Sequence, residues 1–491
     1  MSEPVILAID QGTTSSRAII FSKRGEIVAA KQKELKLHYP HKGWVEQSPD
    51  DIWGDTLWAC RDVLDNADNV ASIGIANQRE TTIIWNRATG KPIYNAIVWQ
   101  DRRTADYCKT LKEAGHETMV RARTGLLLDP YFSATKIHWI LDNVEGARAK
   151  AEAGELAFGT VDTWLLWKLT GGAVHATDAT NAARTMLFNI VTQNWDEKLL
   201  ALFNIPRALL PEVKDNVANF GHTAKSILGR KIPIGGMAGD QQAALIGQAC
   251  FEPGMVKSTY GTGCFALMNI GNNFRESGSR LLTTTAYRLD GEVNYAIEGS
   301  IFVAGAAVQW LRDGLGLFTD VAESEALARS VDENNGVYFV PAFTGLGAPH
   351  WDPEARASIT GLTRESTAAH ITRAALEAQA YQTLDLFEAM KADSDHNPNI
   401  IRADGGLMGN SFVCQFLADM LDKPVEIPRI TETTAMGAAC LAGLQAGIFD
   451  DLTVLSKAWQ RDRLYDPKMD SGVRKELYEC WKTAVDRLLG N

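Results

Sequence analysis

Val5-Ile-Leu-Ala-Ile-Asp10-Gln-Gly12-Thr13-Thr14-Ser15-Ser16-Arg17-Ala-Ile-Ile-Phe21 is the stretch whose reading decides the fold. Its aliphatic start reads as a buried strand, its middle as a tight polar turn, and Ala18–Phe21 as a returning strand. The turn carries unusual chemistry for its size. Backbone N–H groups and the hydroxyls of Thr13, Thr14 and Ser15 can cradle phosphate oxygens. Arg17 can neutralise phosphate charge, and Asp10 can hold a magnesium ion through its water shell. Alone, the stretch reads equally well as the polar tip of an ordinary hairpin, so its partners along the chain decide.

Bulk properties narrow the choice. A chain of 491 residues is too long for one core and predicts two large domains. The net charge of −11, without a basic stripe, argues against a nucleic-acid partner. No apolar run reaches membrane-spanning length, and the start of the sequence lacks the pattern of a secretory leader. The seven cysteines never form a CxxC pair, which excludes a zinc ribbon and fits a reducing compartment. A cytoplasmic protein is the expectation.

Ser48-Pro49-Asp50-Asp51 predicts a helix start, with Trp53, Leu57 and Cys60 on the buried face. Val70–Ala76 reads as a strand that delivers Arg79-Glu80, a donor fork beside an acceptor, suited to neighbouring hydroxyls of a polyol. Ile97-Val98 delivers Trp99, an aromatic wall for a carbon chain, and Tyr131 offers a further hydroxyl. Gly159–Gly172 predicts a capped amphipathic helix. Ile232–Gly239 predicts a strand and glycine turn, with Asp240 in the first turn of the next helix. That position stabilises the anion and suits a general base. Glu298–Trp310 predicts a glycine- and alanine-rich helix.

Two internal echoes point to duplication. Gly261-Thr262 repeats Gly12-Thr13 between two strands, and Gly405-Gly-Leu-Met-Gly-Asn410 resembles Gly235-Gly-Met-Ala-Gly-Asp240. Two related domains would then face one cleft, each contributing a phosphate-binding turn, with a nucleotide clamped between them.

Asp10–Arg17, Arg79-Glu80, Trp99–Thr104, Asp240-Gln241, Tyr260–Phe265 and Gly405–Asn410, in this order, resemble the FGGY carbohydrate kinases, and among them the members that phosphorylate glycerol. The resemblance spans nearly the whole chain. It implies an α/β fold of two duplicated ribonuclease H-like (actin-like ATPase) domains with a central catalytic cleft. Residues 1–250 would hold the glycerol and phosphate/magnesium site, and residues 251–491 the nucleotide site. It further implies ATP with Mg2+ as cofactors, Asp10 at the metal, and Thr13, Thr14, Ser15 and Arg17 at the phosphates. Glycerol would meet Arg79, Glu80, Trp99, Tyr131, Asp240, Gln241 and Phe265, with Asp240 as catalytic base. Thr262, Gly305, Gln309, Gly406 and Asn410 would bind the nucleotide. A homodimer or homotetramer is implied as well. The fructose 1,6-bisphosphate loop of some bacterial members is not matched by Ser226–Lys231. Alternatives are an FGGY kinase for another polyol or pentulose, and an actin-like assembly protein.

Overall fold

A computed structural model of the chain describes residues 3–352 and 354–490. Two mixed sheets organise it. The first is five-stranded and comprises β1 (Val5–Gln11), β2 (Ser15–Ser22), β3 (Ile27–Glu34), β4 (Val70–Asn77) and β5 (Ile234–Gly239). β1, β2 and β3 form an antiparallel meander, and β4 and β5 extend the other edge in parallel, giving the order 5-4-1-2-3. The second sheet is seven-stranded and comprises β6 (Met255–Tyr260), β7 (Cys264–Gly271), β8 (Leu282–Leu289), β9 (Glu292–Ile301), β10 (Ile400–Asp404), β11 (Val425–Pro428) and β12 (Arg461–Tyr465). Here β7 is antiparallel to β6, while β10 and then β11 run parallel to it. The arrangement 9-7-6-10-11 therefore repeats 3-2-1-4-5.

This register sorts the echoes. Gly12-Thr13 and Gly261-Thr262 close equivalent hairpins, β1–β2 and β6–β7. The second echo does not pair equivalent sites. Gly405–Asn410 follows β10, the counterpart of β4, whereas Asp240 follows β5. The expected glycine turn before Asp240 is also absent: Gly235, Gly236 and Gly239 are strand residues.

Strand β1 is buried on both faces. Leu7 and Ile9 join one core cluster, Ile6 and Ala8 another, as period-two alternation requires. The first cluster is covered by α1 (Pro49–Leu64) and α2 (Val161–Leu169). Ser48 caps α1 by accepting from the Asp51 N–H at 3.1 Å. Its buried face centres on Ile52, Thr56, Ala59, Cys60 and Val63, and Trp53 and Leu57 are only half-buried, a shift from the expected stripe. Helix α2 is not amphipathic, being buried on nearly every side, because α1 and the sheet enclose it. Glu298 belongs to β9, and the helix expected there begins only at Gly305; the β-branched and aromatic residues of 292–301 pair with β7 and override the alanine-rich signal downstream.

The second cluster is closed by helices that follow the fifth strand of each sheet. Helix α3 (Asp240–Gly247) follows β5, and α4 (Gly305–Asp313) and α5 (Ala368–Asp393) lie between β9 and β10. Helix α6 (Ser411–Leu421) follows β10, and α7 (Thr433–Gln445) follows β11. Helices α3 and α7 pack on each other at a glycine seam. A Cβ at Gly437 would lie 1.7 Å from the Ala243 carbonyl oxygen, and one at Gly247 would lie 2.0 Å from that of Thr433. Helix α7 also presses on the first sheet, where a Cβ at Gly74 would lie 1.9 Å from the Ala438 oxygen. No described helix is long and apolar enough to cross a membrane.

Gly437→Ala is expected to destabilise the chain by about 3 kcal/mol or more, since backbone must move to admit the methyl group. Gly54→Ala, exposed within α1 and with nothing within 4 Å, is expected to stabilise by about 0.5–1 kcal/mol. Denaturant unfolding of the two variants beside the parent checks both signs.

Candidate active site

The β1–β2 turn is braced from three directions. The Gly12 N–H donates to the Ser15 carbonyl at 2.9 Å, closing the turn. Gln47 Nε2 donates to the Thr13 carbonyl at 2.5 Å and Gln78 Nε2 to that of Gly12 at 3.1 Å. Trp99 Nε1 donates to Thr13 Oγ1 at 2.8 Å, so a residue expected at the polyol and one expected at phosphate touch each other. The Trp99 ring meets Tyr131 edge-on at 5.5 Å, forming an aromatic corner. Phe265, opposite Thr259 in β7, shares a sheet face with Lys257 and Glu298.

Asp10 stands opposite Arg17 in the hairpin register. Burial pushes its carboxyl up to about 7, with Asp240 and Glu432 adding to the effect and Arg17 opposing it. Arg17 itself does not reach out as a free cation. It pairs with Glu432, at the start of α7, and its Nε and Nη2 donate to Gln32 at 3.0 and 2.7 Å.

The loop after β4 lands in a buried cluster of four charges. Arg79 and Glu80 are 3% and 1% exposed, which disposes of a surface ion pair. Arg79 Nη1 and Nη2 lie 2.5 and 3.0 Å from the Glu298 carboxylate, and Arg184 Nη2 adds a contact at 2.9 Å. Arg184 Nε donates to Glu80 at 2.6 Å. The guanidinium fork expected to face hydroxyls is thus committed to Glu298. Only Arg79 Nε reaches toward the cleft acid, at 3.2 Å from Asp240 Oδ1. Glu80 takes a positive φ of 62°, and Ser133 Oγ holds its carbonyl at 3.0 Å. Lys136, lowered by burial to about 8, ties in the Tyr131 carbonyl at 2.5 Å.

Asp240 opens α3, and its side chain is 30% exposed. Oδ1 accepts from the Gln241 N–H at 2.7 Å, while among the described residues no donor takes Oδ2. One oxygen is anchored and the other remains available to accept.

The five residues expected at the nucleotide line one cavity of about 570 Å³: Thr262, Gly305, Gln309, Gly406 and Asn410. Gly305 has to be glycine, because a Cβ there would lie 2.6 Å from the Gly261 carbonyl oxygen. That close approach lets the Gly305 and Ala304 N–H groups bond the Gly261 and Thr262 carbonyls, joining α4 to the turn. Asn410 caps α6 by accepting from the Val413 N–H at 3.1 Å, and Gly406 and Gly409 leave open space where side chains would stand.

Of the four charges, Arg184 carries no sequence signal of a site, and Glu298 falls in the stretch expected to be helical. The signal for Glu298 was its place in the β-rich run Val293–Ile301; for Arg184 nothing short of the tertiary structure points inward.

The N-terminal domain model of the FGGY family of carbohydrate kinases matches residues 5–247, and the C-terminal domain model matches residues 256–446. The chain belongs to the FGGY carbohydrate kinases. Among similar FGGY proteins is the glycerol kinase of Nitrosomonas eutropha, 66% identical over 99% of both chains. The structure of Plasmodium falciparum glycerol kinase with ADP superposes with a TM-score of 0.95 at 38% identity, covering 99% of this chain and 98% of that one. A xylulose kinase structure from Lactobacillus acidophilus shares the FGGY fold, with a TM-score of 0.90 at 22% identity and coverage of 99% and 98%.

In this FGGY chain, Glu298→Gln is expected to cost about 3–5 kcal/mol, because Arg79 and Arg184 would keep their burial and lose a counter-charge. The two arginines hold the Glu298 carboxyl at about 2, below its usual 4.5. Its stabilisation is therefore complete above pH 4.5 and fades as pH falls toward 2. Unfolding free energies across that window should fall less steeply for the variant than for the parent.

Proposed function

We propose that this chain transfers the γ-phosphoryl group of ATP to a terminal hydroxyl of glycerol, giving sn-glycerol 3-phosphate. The observation that carries the reading is Asp240, a part-exposed carboxylate with Oδ1 pinned and Oδ2 unbonded among the described residues, joined by Arg79 to the neighbourhood of Tyr131 and so to the Trp99–Tyr131 aromatic corner. The corner suits the carbon chain of a small polyol, and the glycerol kinases at high identity over the full chain favour glycerol within that class.

In this mechanism Asp240 Oδ2 takes the proton of the attacking hydroxyl while the Gln241 N–H and Arg79 Nε hold the carboxylate still. Glu80, Tyr131 and Gln241 orient the other hydroxyls, and Phe265 closes over the carbons from the second sheet. Thr13, Thr14 and Ser15 meet phosphate oxygens at one hairpin turn and Thr262 meets them at the other. Gly305, Gln309, Gly406 and Asn410 enclose the nucleoside end. Arg17 contributes field from the Glu432 pair rather than direct contact.

Asp10 suits magnesium: it is a hard oxygen ligand whose burial otherwise disfavours its charge. A bound magnesium ion would neutralise charge on the phosphate oxygens. The chain's residues 1–250 and 251–491 serve as the two jaws, and their closure excludes water from the phosphoryl group. A homodimer or homotetramer and a cytoplasmic location complete the proposal.

The direct test is ADP release with magnesium and ATP across glycerol, dihydroxyacetone, erythritol, xylulose and ribulose. Glycerol should be strongly preferred, and Asp240→Asn should lose about 10²–10⁴-fold in kcat with ATP binding intact. Preference for a pentulose would overturn the substrate. Asp10→Asn should abolish turnover yet raise stability in the metal-free protein. The raised Asp10 pKa means the parent loses stability as pH climbs from about 4 to about 7. The variant's advantage in melting temperature should grow across that window and level off above it.

A further inference from the structure

Lys257 lies in β6, fully buried, in the half of the chain opposite Asp240. Its Nζ donates to Gln241 Oε1 at 2.5 Å. Among the described residues no carboxylate oxygen comes within 4 Å of it, although 33 ion pairs form elsewhere. Burial works against its charge, while Asp404 and Asp240 at longer range support it. A buried ammonium without a contacting carboxylate is costly, and such groups are ordinarily paired. Its one close partner is the neutral amide of the residue that follows the candidate base.

That single bond has a chemical consequence. An ammonium can only donate, so the amide atom facing it has to be oxygen. With Oε1 committed to Lys257, what Gln241 has left to offer is its N–H2, a donor. Glycerol hydroxyls can give or take a hydrogen bond, but phosphoryl oxygens can only take one. A donor there is matched by a phosphoryl oxygen in every orientation, and by a glycerol hydroxyl only when that hydroxyl accepts, so the Lys257–Gln241 unit suits phosphoryl oxygens better.

Resting on the phosphotransfer reading above, we infer that Lys257 is a positioning residue of that step. It fixes Gln241 as a donor toward the phosphoryl oxygens and places a buried ammonium with no contacting carboxylate behind it, so that the pair favours the transition state and bound product over bound glycerol. The reach from the second sheet to α3 also means that the unit is assembled only when both halves are together.

Lys257→Met and Gln241→Leu test this, with Lys257→Arg as the conservative control. Lys257→Met should lower kcat by about 30-fold or more while KM for glycerol stays within about threefold. By calorimetry it should weaken binding of sn-glycerol 3-phosphate by about tenfold or more and leave glycerol binding unchanged. Lys257→Arg should recover most of kcat. Adding Lys257→Met to Gln241→Leu should cost little further, because the two act as one unit. A Lys257→Met protein with parental kcat and product binding but a lower melting temperature would overturn the inference and make Lys257 a structural clip. Should Lys257→Met fail to fold, Lys257→Gln must show the same split between product and glycerol binding, or the inference falls. No glycerol-dependent turnover in the parent would instead overturn the phosphotransfer reading itself.

Discussion

Four buried charges, Arg79, Glu80, Arg184 and Glu298, are the constraint to which the cleft conforms. Two guanidinium groups and two carboxylates balance, but only if the loop after β4, residue 184 and β9 all arrive together. Glu298 comes from the second sheet and the other three from the first half of the chain. Bringing these charges out of water is expensive, and removing one partner leaves the rest stranded. The cluster therefore acts less as a source of stability than as a specification: the two halves meet in one relative position at the floor of the cleft. The geometry of Asp240 inherits that specification, since Arg79 Nε touches it from the same guanidinium whose other nitrogens hold Glu298.

A second constraint on how the halves meet is steric. Where α3 meets α7, and where α7 meets β4, backbone carbonyls sit closer than any side chain permits. Small residues on both helices, Ala243, Ala435, Ala438 and Ala442 among them, extend the seam. An interface built from backbone contact slides or rotates poorly in most directions. The charge cluster and the glycine seam thus tie the two halves of the chain together through two kinds of contact, one electrostatic and one steric.

These two constraints explain what was legible in the sequence. The hairpin turns were readable because Gly-Thr between aliphatic runs is a local signal with a local cause, and Ser48-Pro49 was readable for the same reason. Asp240 could be placed because an acid after an aliphatic strand and before a small-residue helix has few other readings. The small residues of α7 mark a helix, but nothing local in the sequence says what it packs on. Glycines in β5 resemble a turn because glycine usually marks one, whereas here Gly235 and Gly236 make room for α7 and Gly239 makes room for the Arg79 side chain. Arg184 and Glu298 were illegible as partners for a similar reason: a buried ion cluster is a property of tertiary arrangement, and charge alone in a sequence usually means solvent. The resemblance to a kinase family supplied glycerol and the individual nucleotide residues, which no pattern of spacing could name.

The duplicated sheets, overlaid in register, show where the symmetry was given up. Asp10 lies one residue before the last position of β1, and its counterpart in β6 is Thr259; the acid of one half faces a hydroxyl in the other. The position matching Lys257 in β1 is Ala8, buried against the seam. Each half keeps a three-residue turn closed by a glycine N–H at 2.9 Å, while the strand leading into it carries Ala8 and Asp10 in one half and Lys257 and Thr259 in the other. A symmetric pair of acidic turns would crowd like charges around an anionic nucleotide. Asp10 and Asp240 come from the first half, and Gly261, Thr262 and Lys257 from the second, so the two walls are chemically unlike. The divergence of these few strand positions is what gives a repeated fold two unlike walls instead of a symmetric cleft.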